Sequence, residues 1–415
     1  MQSAKIINDP VFGFIRVPRG LLLDIVRHPA FYRLSRIKQL GGANIVYPGA
    51  QHTRFQHSLG AFHLMGKAIF SLQQKGHFIF DSEAEAVQAA ILLHDIGHGP
   101  FSHVLEHTLI QGVSHEDISL IVMEQMNEEM RGQLGLAIKI FKDEYPKRFL
   151  HQLISSQLDM DRLDYLKRDA FFTGVNEANI GSSRIIDMLD MVDDQLVVDK
   201  KGIYSIENYL TTRRLMYWQV YLHKTTVAYE KTLVNLLCRA KFLARQGVEV
   251  FATPALRYFL YNDVTAEMFE HDEMALSNYE LLDDNDIWAS VKAWMSHEDR
   301  VLSILAHDLA ERRIFRVEVS EQPFDDERVS NLQQQLADAY GVSFDDAAYL
   351  ISINTIQKDM YNPNDDQIDI LFKPTSDDSD GVKPVVKDIA NASELFNISL
   401  LSKKIRKYYL CYQRI

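Results

Sequence analysis

The chain has 415 residues, 47% hydrophobic and 24% charged, and carries a formal net charge of −13. That length exceeds one compact core, so a large domain plus a smaller one is expected, and the acidity argues against general nucleic-acid binding, since phosphates would be repelled. Only Cys238 and Cys411 are available as thiols, which excludes a disulfide framework and a Cys-based zinc site and leaves His, Asp and Glu to hold any metal.

No stretch approaches the roughly 18 apolar residues of a membrane span, and Met1-Gln2-Ser3-Ala4-Lys5 lacks the apolar run of a signal peptide. No membrane association and a reducing cytoplasm are therefore expected. Along the chain, residues 1–80 carry ten Lys/Arg against Asp9 and Asp24, a net +8 that leaves −21 for the remainder. A basic segment on an acidic protein suits a polyphosphate pocket or an anionic partner, and it equally suits a solvated face.

Nine of the 15 histidines fall between residues 52 and 115. Arg54-Phe55-Gln56-His57-Ser58 sets one of them beside a cation. Residues 82–96 read as a helix opening at Ser82 with Glu85 three residues later, and Ala84 to Leu93 is apolar nearly all round, so this helix should be buried. It ends in His94-Asp95-Ile96-Gly97-His98-Gly99-Pro100-Phe101-Ser102-His103, where Pro100 suits the first turn of another helix. An ionised Asp at the end of an apolar helix needs a partner or a cation. A local His–Asp pair would satisfy it, but three histidines around a glycine-rich break point to a site where backbone and imidazoles approach a phosphate.

A further helix is expected from about Pro146 to Gly174. On it, Asp161, Asp164, Tyr165 and Asp169 lie on or near one face, with Arg162 beside them. A third is expected from Ser205 to about Gly247, where Arg213, Tyr217, Tyr221 and Lys224 share a face. Alone, the first stripe reads as a solvated surface and the second as core. From about Arg313 the pattern changes. Residues 314–319, 349–354 and 367–372 are strand-like, 326–341 is helical, Asp377–Gly381 is a polar loop, and 393–409 reads as a final amphipathic helix. The expected fold is mainly α, a helical domain over 1–312 followed by a smaller α/β lobe over 313–415.

His57, His94, Asp95 and Asp161 form a candidate two-imidazole, two-carboxylate set, suited to a divalent Fe, Mn, Ni, Zn or Mg ion that acidifies water and polarises a phosphoryl group. Other signals are weaker. Gly60 to Ala68 has the wrong spacing for a phosphate loop, and His115-Glu116 is not followed by a zincin His. His63, His77 and His107 read as structural, and His52 as a residue of the pocket rim.

Lys5–Pro10, Ile37–Gly42, Tyr47–Ala50, Arg54–Ser58 and His94–His103 together resemble the HD-domain deoxynucleoside triphosphate triphosphohydrolases, in particular the HD part of the sterile-alpha-motif-and-HD-domain group. The resemblance spans roughly residues 5–240 and implies an HD helical core. It implies one transition metal (Fe, Mn, Ni or Zn) on His57, His94, Asp95 and Asp161, with Mg accompanying the triphosphate. It assigns His98, His103 and His115 to the α-phosphate and Arg54 to the same side. Arg162 and Arg213 would bind phosphate, and Gln39, Leu40, Tyr165, Asp169 and Tyr221 would form the sugar pocket. Asp169 would accept from a 3′-hydroxyl, and Tyr221 would pack where a ribose 2′-hydroxyl projects. Tyr217 stands where vertebrate members carry His.

The products implied are a deoxynucleoside and inorganic triphosphate, with His115 protonating the leaving 5′-oxygen. A homo-oligomer, dimer or tetramer, is implied as well. Arg27, Tyr32 and Ser35 replace the Asp, Gln and Arg that hold a regulatory guanine nucleotide in vertebrate members, which argues against the same trigger and leaves another nucleotide activator, with Lys5 contributing. Two alternatives share parts of this pattern: an HD nucleotide phosphodiesterase or monophosphatase, and a catalytically silent sensor for which nucleic acid is a secondary partner.

Overall fold

A computed structural model of the chain describes residues 4–101, 104–105, 108–110, 112–358, 361, 367–374, 383–393 and 405–415. The fold is mainly helical, with small sheets at its margins. Six helices carry the site: α1 (Arg54–Gln74), α2 (Asp81–Leu93), α3 (His115–Glu129), α4 (Met160–Thr173), α5 (Ile203–Met216) and α6 (Lys224–Arg245).

Helix α1 is the central rod and packs on both α2 and α4. It starts with a reciprocal cap, in which Thr53 Oγ1 accepts from Gln56 N–H and Gln56 Oε1 accepts from Thr53 N–H at 2.9 Å. Helix α2 buries Val87 and Ala89 to Leu93 completely. Each buried Val, Ile or Leu side chain among them contributes about 1.5–3 kcal/mol, and an all-round apolar helix can lie only at the centre. Its start differs from the expected Ser82–Glu85 box. The helix begins at Asp81, and Glu83 accepts from Phe80 N–H at 2.9 Å. Glu83 prevails because Lys147 and Tyr145 hold its buried carboxylate at 2.7 Å each.

Two expected long helices are broken, both beside the site. The span from Pro146 to Gly174 splits into Arg148–Gln152 and α4, because Asp159 turns its carboxylate onto the amides of Ser156 and Arg162 and starts a new helix. Gly174 ends α4 in the left-handed region, at φ 76°. The span from Ser205 to Gly247 is divided by a π-turn, Tyr217–Tyr221, between α5 and α6. The shared face expected across that span is therefore discontinuous, and Lys224, the first residue of α6, is exposed.

The strands form a hairpin of β1 (Lys5–Asp9) and β2 (Gly13–Val17), a four-stranded sheet and a three-stranded sheet. The four-stranded sheet runs in the order β3 (Leu189–Val192), β4 (Gln195–Asp199), β7 (Asp369–Phe372), β8 (Val385–Asp388). The three-stranded sheet runs β5 (Arg316–Ser320), β9 (Ile405–Tyr412), β6 (Ile351–Lys358). Pairing of β4 with β7 ties the C-terminal hundred residues onto the helical part. The helix expected over 393–409 is corrected: residues 405–412 are the central strand β9, paired on both sides. Tyr409, Leu410, Cys411 and Tyr412 are all buried, so one apolar stripe of a helix could not have satisfied them. The polar loop Asp377–Gly381 lies outside the described residues.

Candidate active site

Four of the expected metal ligands converge. His57 comes from the first turn of α1, His94 and Asp95 follow the last turn of α2, and Asp161 comes from the first turn of α4. His57 Nε2 lies 3.3 Å from His94 Nε2 and 3.0 Å from Asp161 Oδ1, and His94 Nε2 lies 3.4 Å from Asp161 Oδ1. Asp95 adds an oxygen 3.5 Å from His94 Nε2 and another 3.7 Å from His57 Nε2. Donor atoms about 2.1 Å from a common ion lie about 3–4 Å apart. His57, His94 and Asp161 thus form a group that fits one divalent cation, and Asp95 lies alongside it.

Each imidazole is oriented from behind. His94 Nδ1 donates to the Ile91 carbonyl at 2.7 Å, and His57 Nδ1 meets Asp164 Oδ2 at 2.7 Å, so both Nε2 atoms face the cluster. Charge follows the same logic. Burial lowers the His57 pKa, yet hydrogen bonds to Asp161 and Asp164 overcome it and carry the group up to about 10. Desolvation pushes both carboxyls up, yet the half-buried Asp161, beside His57 and His94, and the buried Asp95, beside His94, His98 and Arg54, stay well below the carboxylate range. The cluster is built to retain positive charge, whether a proton or a metal occupies the His57 nitrogen.

Asp95 also faces outward. Arg54 Nη1 donates to its Oδ2 at 2.6 Å, and His98 Nε2 sits 3.2 Å from its Oδ1. The His98 ring stacks on that of His115, centroids 3.8 Å apart. Burial and the nearby Arg54 charge pull His98 down to about 3, so it is neutral. The turn carrying it must pass against the start of α3: a Cβ on Gly97 would lie 2.2 Å from both His115 O and Ser119 N. Ser119 Oγ accepts from Gly97 N–H and donates to His94 O. From the other side the buried Arg33 guanidinium donates to the carbonyls of Ile96, His98, Tyr279 and Leu282. His103 lies outside the described residues, as does His107.

Beyond Arg54 opens a cavity of about 560 Å³, lined by Gln39, Leu40, Arg54, Tyr165, Asp169, Tyr217 and Tyr221 among others. The Asp169 carboxylate is buried, with His52 Nε2 2.7 Å from one oxygen and Tyr221 OH donating to the other at 2.7 Å. Gln39 Oε1, Arg54 Nε and Thr226 Oγ1 are buried without a hydrogen-bond partner among the described residues. Each such atom costs about 1–3 kcal/mol until something meets it, so the cavity suits a polar guest.

Arg162 and Arg213 do not line this cavity. Arg162 Nε donates to Ser156 O at 2.7 Å and to Asp159 at 3.1 Å, while Arg213 Nη1 donates to Gln157 Oε1 at 2.6 Å. Both are tied to the loop that the helix break creates. Sequence reasoning gave no role to Asp164, and it missed Lys38, Thr226, Glu230 and Ile356, which extend the cavity wall. Only the i, i+4 spacing of Asp164 and Arg168 could have hinted at the first. Of the histidines set aside, His63 contacts Phe12, with ring centroids 5.4 Å apart, and His77 pairs with Asp190. His52, expected at a rim, is buried beneath Asp169 and stacks on Phe172 at 4.5 Å.

A helical scaffold presenting His and Asp from three segments around one cation position defines a metal-dependent hydrolase site. The HD domain model matches residues 54–169, and the HD associated region matches 180–249. The chain is similar to a crystal structure of a phosphohydrolase from Bacteroides thetaiotaomicron, with 64% identity, a TM-score of 0.95, and coverage of 99% of this chain and 100% of that one. It is 33% identical over 323 residues to the uncharacterized protein YwfO of Bacillus subtilis, covering 76% of this chain and 72% of that protein. It is 31% identical over 258 residues to the deoxynucleoside triphosphate triphosphohydrolase SAMHD1 homolog of Dictyostelium discoideum, covering 58% of this chain and half, 50%, of that longer protein. The chain belongs to the HD-domain phosphohydrolase family.

Proposed function

We propose that the protein hydrolyses deoxynucleoside triphosphates to a deoxynucleoside and inorganic triphosphate. The observation that carries this reading is the bridge between the two halves of the site. Arg54 both pairs with Asp95 of the cation cluster and lines the cavity in which Asp169, Tyr165 and Tyr221 form a sugar-sized polar end. An α-phosphate at Arg54 would stand between the cluster and a nucleoside in the cavity. The triphosphate homologue named above supports the same substrate class.

His57, His94, Asp95 and Asp161 would hold the metal, which when bound supplies Lewis acidity toward a phosphoryl oxygen and toward water. Arg54 neutralises the α-phosphate, and His98, whose N–H is held by Asp95, lines the same side. The water oxygen bonds to Pα as the Pα–O5′ bond breaks. His115 delivers a proton to O5′, and the proton shed by water leaves to solvent. Asp169 accepts from the 3′-hydroxyl, and the Tyr221 ring closes the space beside C2′. Arg162 and Arg213 would reach the outer phosphates after releasing their contacts with 156–159. Mg would accompany those phosphates.

Among the described residues no helix is long and apolar enough to cross a membrane. A cytoplasmic homo-oligomer with a nucleotide activator completes the reading. It is tested by incubating the protein with Mn²⁺ and Mg²⁺ and all dNTPs and NTPs, singly and mixed, followed by chromatography. Inorganic triphosphate and a deoxynucleoside are the expected products. Orthophosphate release, or no turnover across the mixed panel, would sink the proposal.

A further inference from the structure

The β1–β2 hairpin lies apart from the cavity, yet its turn reaches the cation cluster through an unbroken chain of buried polar contacts. The Asp9 carboxylate is 7% exposed, unusual for a hairpin turn. Its Oδ1 accepts from the turn amides of Val11 and Phe12 at 2.9 Å each, which fixes the turn. Its Oδ2 accepts from Arg168 Nη1 at 2.7 Å. The Phe12 ring lies against the same guanidinium, 5.7 Å from its carbon. Arg168 then grips Asp164 at two points, Nε to Oδ2 at 2.9 Å and Nη2 to Oδ1 at 3.0 Å. Asp164 Oδ2 meets His57 Nδ1 at 2.7 Å. Arg168, Asp164 and His57 are all fully buried.

The chain is specified sterically as well. Gly60, one turn after His57 on α1, lies so close that a Cβ there would be 1.9 Å from Asp164 Oδ1 and 2.2 Å from Arg168 Nη2. Two buried carboxylates about one buried guanidinium are costly to desolvate and confer little stability over apolar packing. Their geometry has a different use. A carboxylate on the rear nitrogen of a ligating imidazole sets its ring angle and strengthens its donor atom. Among the described residues His94 Nδ1 is backed by a backbone carbonyl, whereas the direction of His57 depends on side chains.

We propose that Asp9, Phe12 and Arg168 are positioning residues for the metal centre, and that the N-terminal hairpin sets how tightly His57 holds the ion. This rests on the metal-site part of the proposed function and extends it to a segment remote from the cavity. With Asp9 neutralised, Arg168 is left to one carboxylate. It draws charge from Asp164, and His57 becomes both a weaker donor and a freer ring. Displacement of the hairpin by anything bound on its exposed face, where Ile6 and Phe14 stand out, would be felt at the same atom.

The test compares Mn²⁺ affinity, by titration against a competing chelator, in wild type, Asp9→Asn, Phe12→Leu and Phe14→Ala, alongside the melting temperature of each metal-free protein. The wild-type isotherm checks the metal site itself, and the differences between variants check the relay. Asp9→Asn should bind about 10–100-fold more weakly and Phe12→Leu several-fold more weakly, while Phe14→Ala, a lesion of the same hairpin, keeps wild-type affinity. Wild-type affinity in Asp9→Asn would overturn the proposal. Should Asp9→Asn fail to fold, wild-type affinity in Phe12→Leu would do so, as would equal losses in Phe14→Ala and Phe12→Leu.

Discussion

The rings of His98 and His115 lie face to face, 16° from parallel with centroids 3.8 Å apart. Two imidazolium ions in that arrangement would repel strongly, and the burial and Arg54 charge that hold His98 at about 3 decide which ring stays neutral. In the proposed reaction His115 is the member of the pair that serves as the acid. His115→Gln should lower turnover by about 10²–10⁴-fold while bound metal stays at the wild-type level. Metal analysis beside single-turnover kinetics checks this, and a parallel loss of metal would instead make His115 a support of the turn.

Asp95 belongs to both halves of the site, touching Arg54 and the two ligand imidazoles. Asp95→Asn should reduce bound Mn²⁺ and turnover together, by more than the roughly 100-fold at the upper end for outer-shell partners. Chelation of the wild type should abolish turnover, and Mn²⁺ should restore it. Elemental analysis of the purified variant is the direct readout.

Tyr221 offers two separable effects, a hydroxyl on Asp169 and a ring in the cavity wall. Tyr221→Phe keeps the ring and loses a hydrogen bond worth about 1 kcal/mol, so kcat/KM for a dNTP should fall roughly fivefold. Tyr221→Ala opens the wall, and the preference for dNTP over NTP should shrink by up to roughly 100-fold. Competition between paired substrates measures both.

Asp308 sits far from the cluster on the helix Arg300–Ala310, 3% exposed, with Gln413 Nε2 donating to one oxygen. Burial pushes its carboxyl up to about 6, against the pull of Gln413 and Arg313. The folded chain thus binds this proton more tightly than the unfolded chain, where an Asp titrates near about 3.9. Its contribution is fully present below about pH 4 and is lost as pH rises through about 6. Asp308→Asn should be more stable than wild type at pH 7.5, on the order of 1–3 kcal/mol, with the difference vanishing at pH 4. Urea titrations at the two pH values check the sign.

The cluster of His57, His94 and Asp161 could be read from the chain because its members are chemically conspicuous. An acid beside a histidine at the end of an apolar helix demands a cation, and the histidines crowd one segment. Gln39, Leu40, Tyr165, Asp169 and Tyr221 were placed in one pocket by the family resemblance, and all five line the cavity. Arg162 and Arg213 were placed with the phosphates by the family resemblance, on helices read as continuous. The Asp159 cap instead breaks that continuity and supplies Ser156 and Gln157 as their partners. Strand β9 was read as helix because its amphipathic spacing hid a strand with neighbours on both sides, a property of pairing that no local window contains. Asp164 escaped notice because its importance lies in what stands behind His57, a contact between residues 107 positions apart.

The π-turn at Tyr217–Tyr221 inserts an extra residue where an ordinary helix would keep its phase. Tyr217 and Tyr221 both reach the cavity, with ring centroids 5.2 Å apart, from this widened coil. Winding the same five residues as an ordinary α-turn, at roughly 100° per residue, would carry Tyr221 past its present direction and off Asp169. The winding of the chain, and not its side chains alone, thus aims the Tyr221 hydroxyl at the buried Asp169 carboxylate.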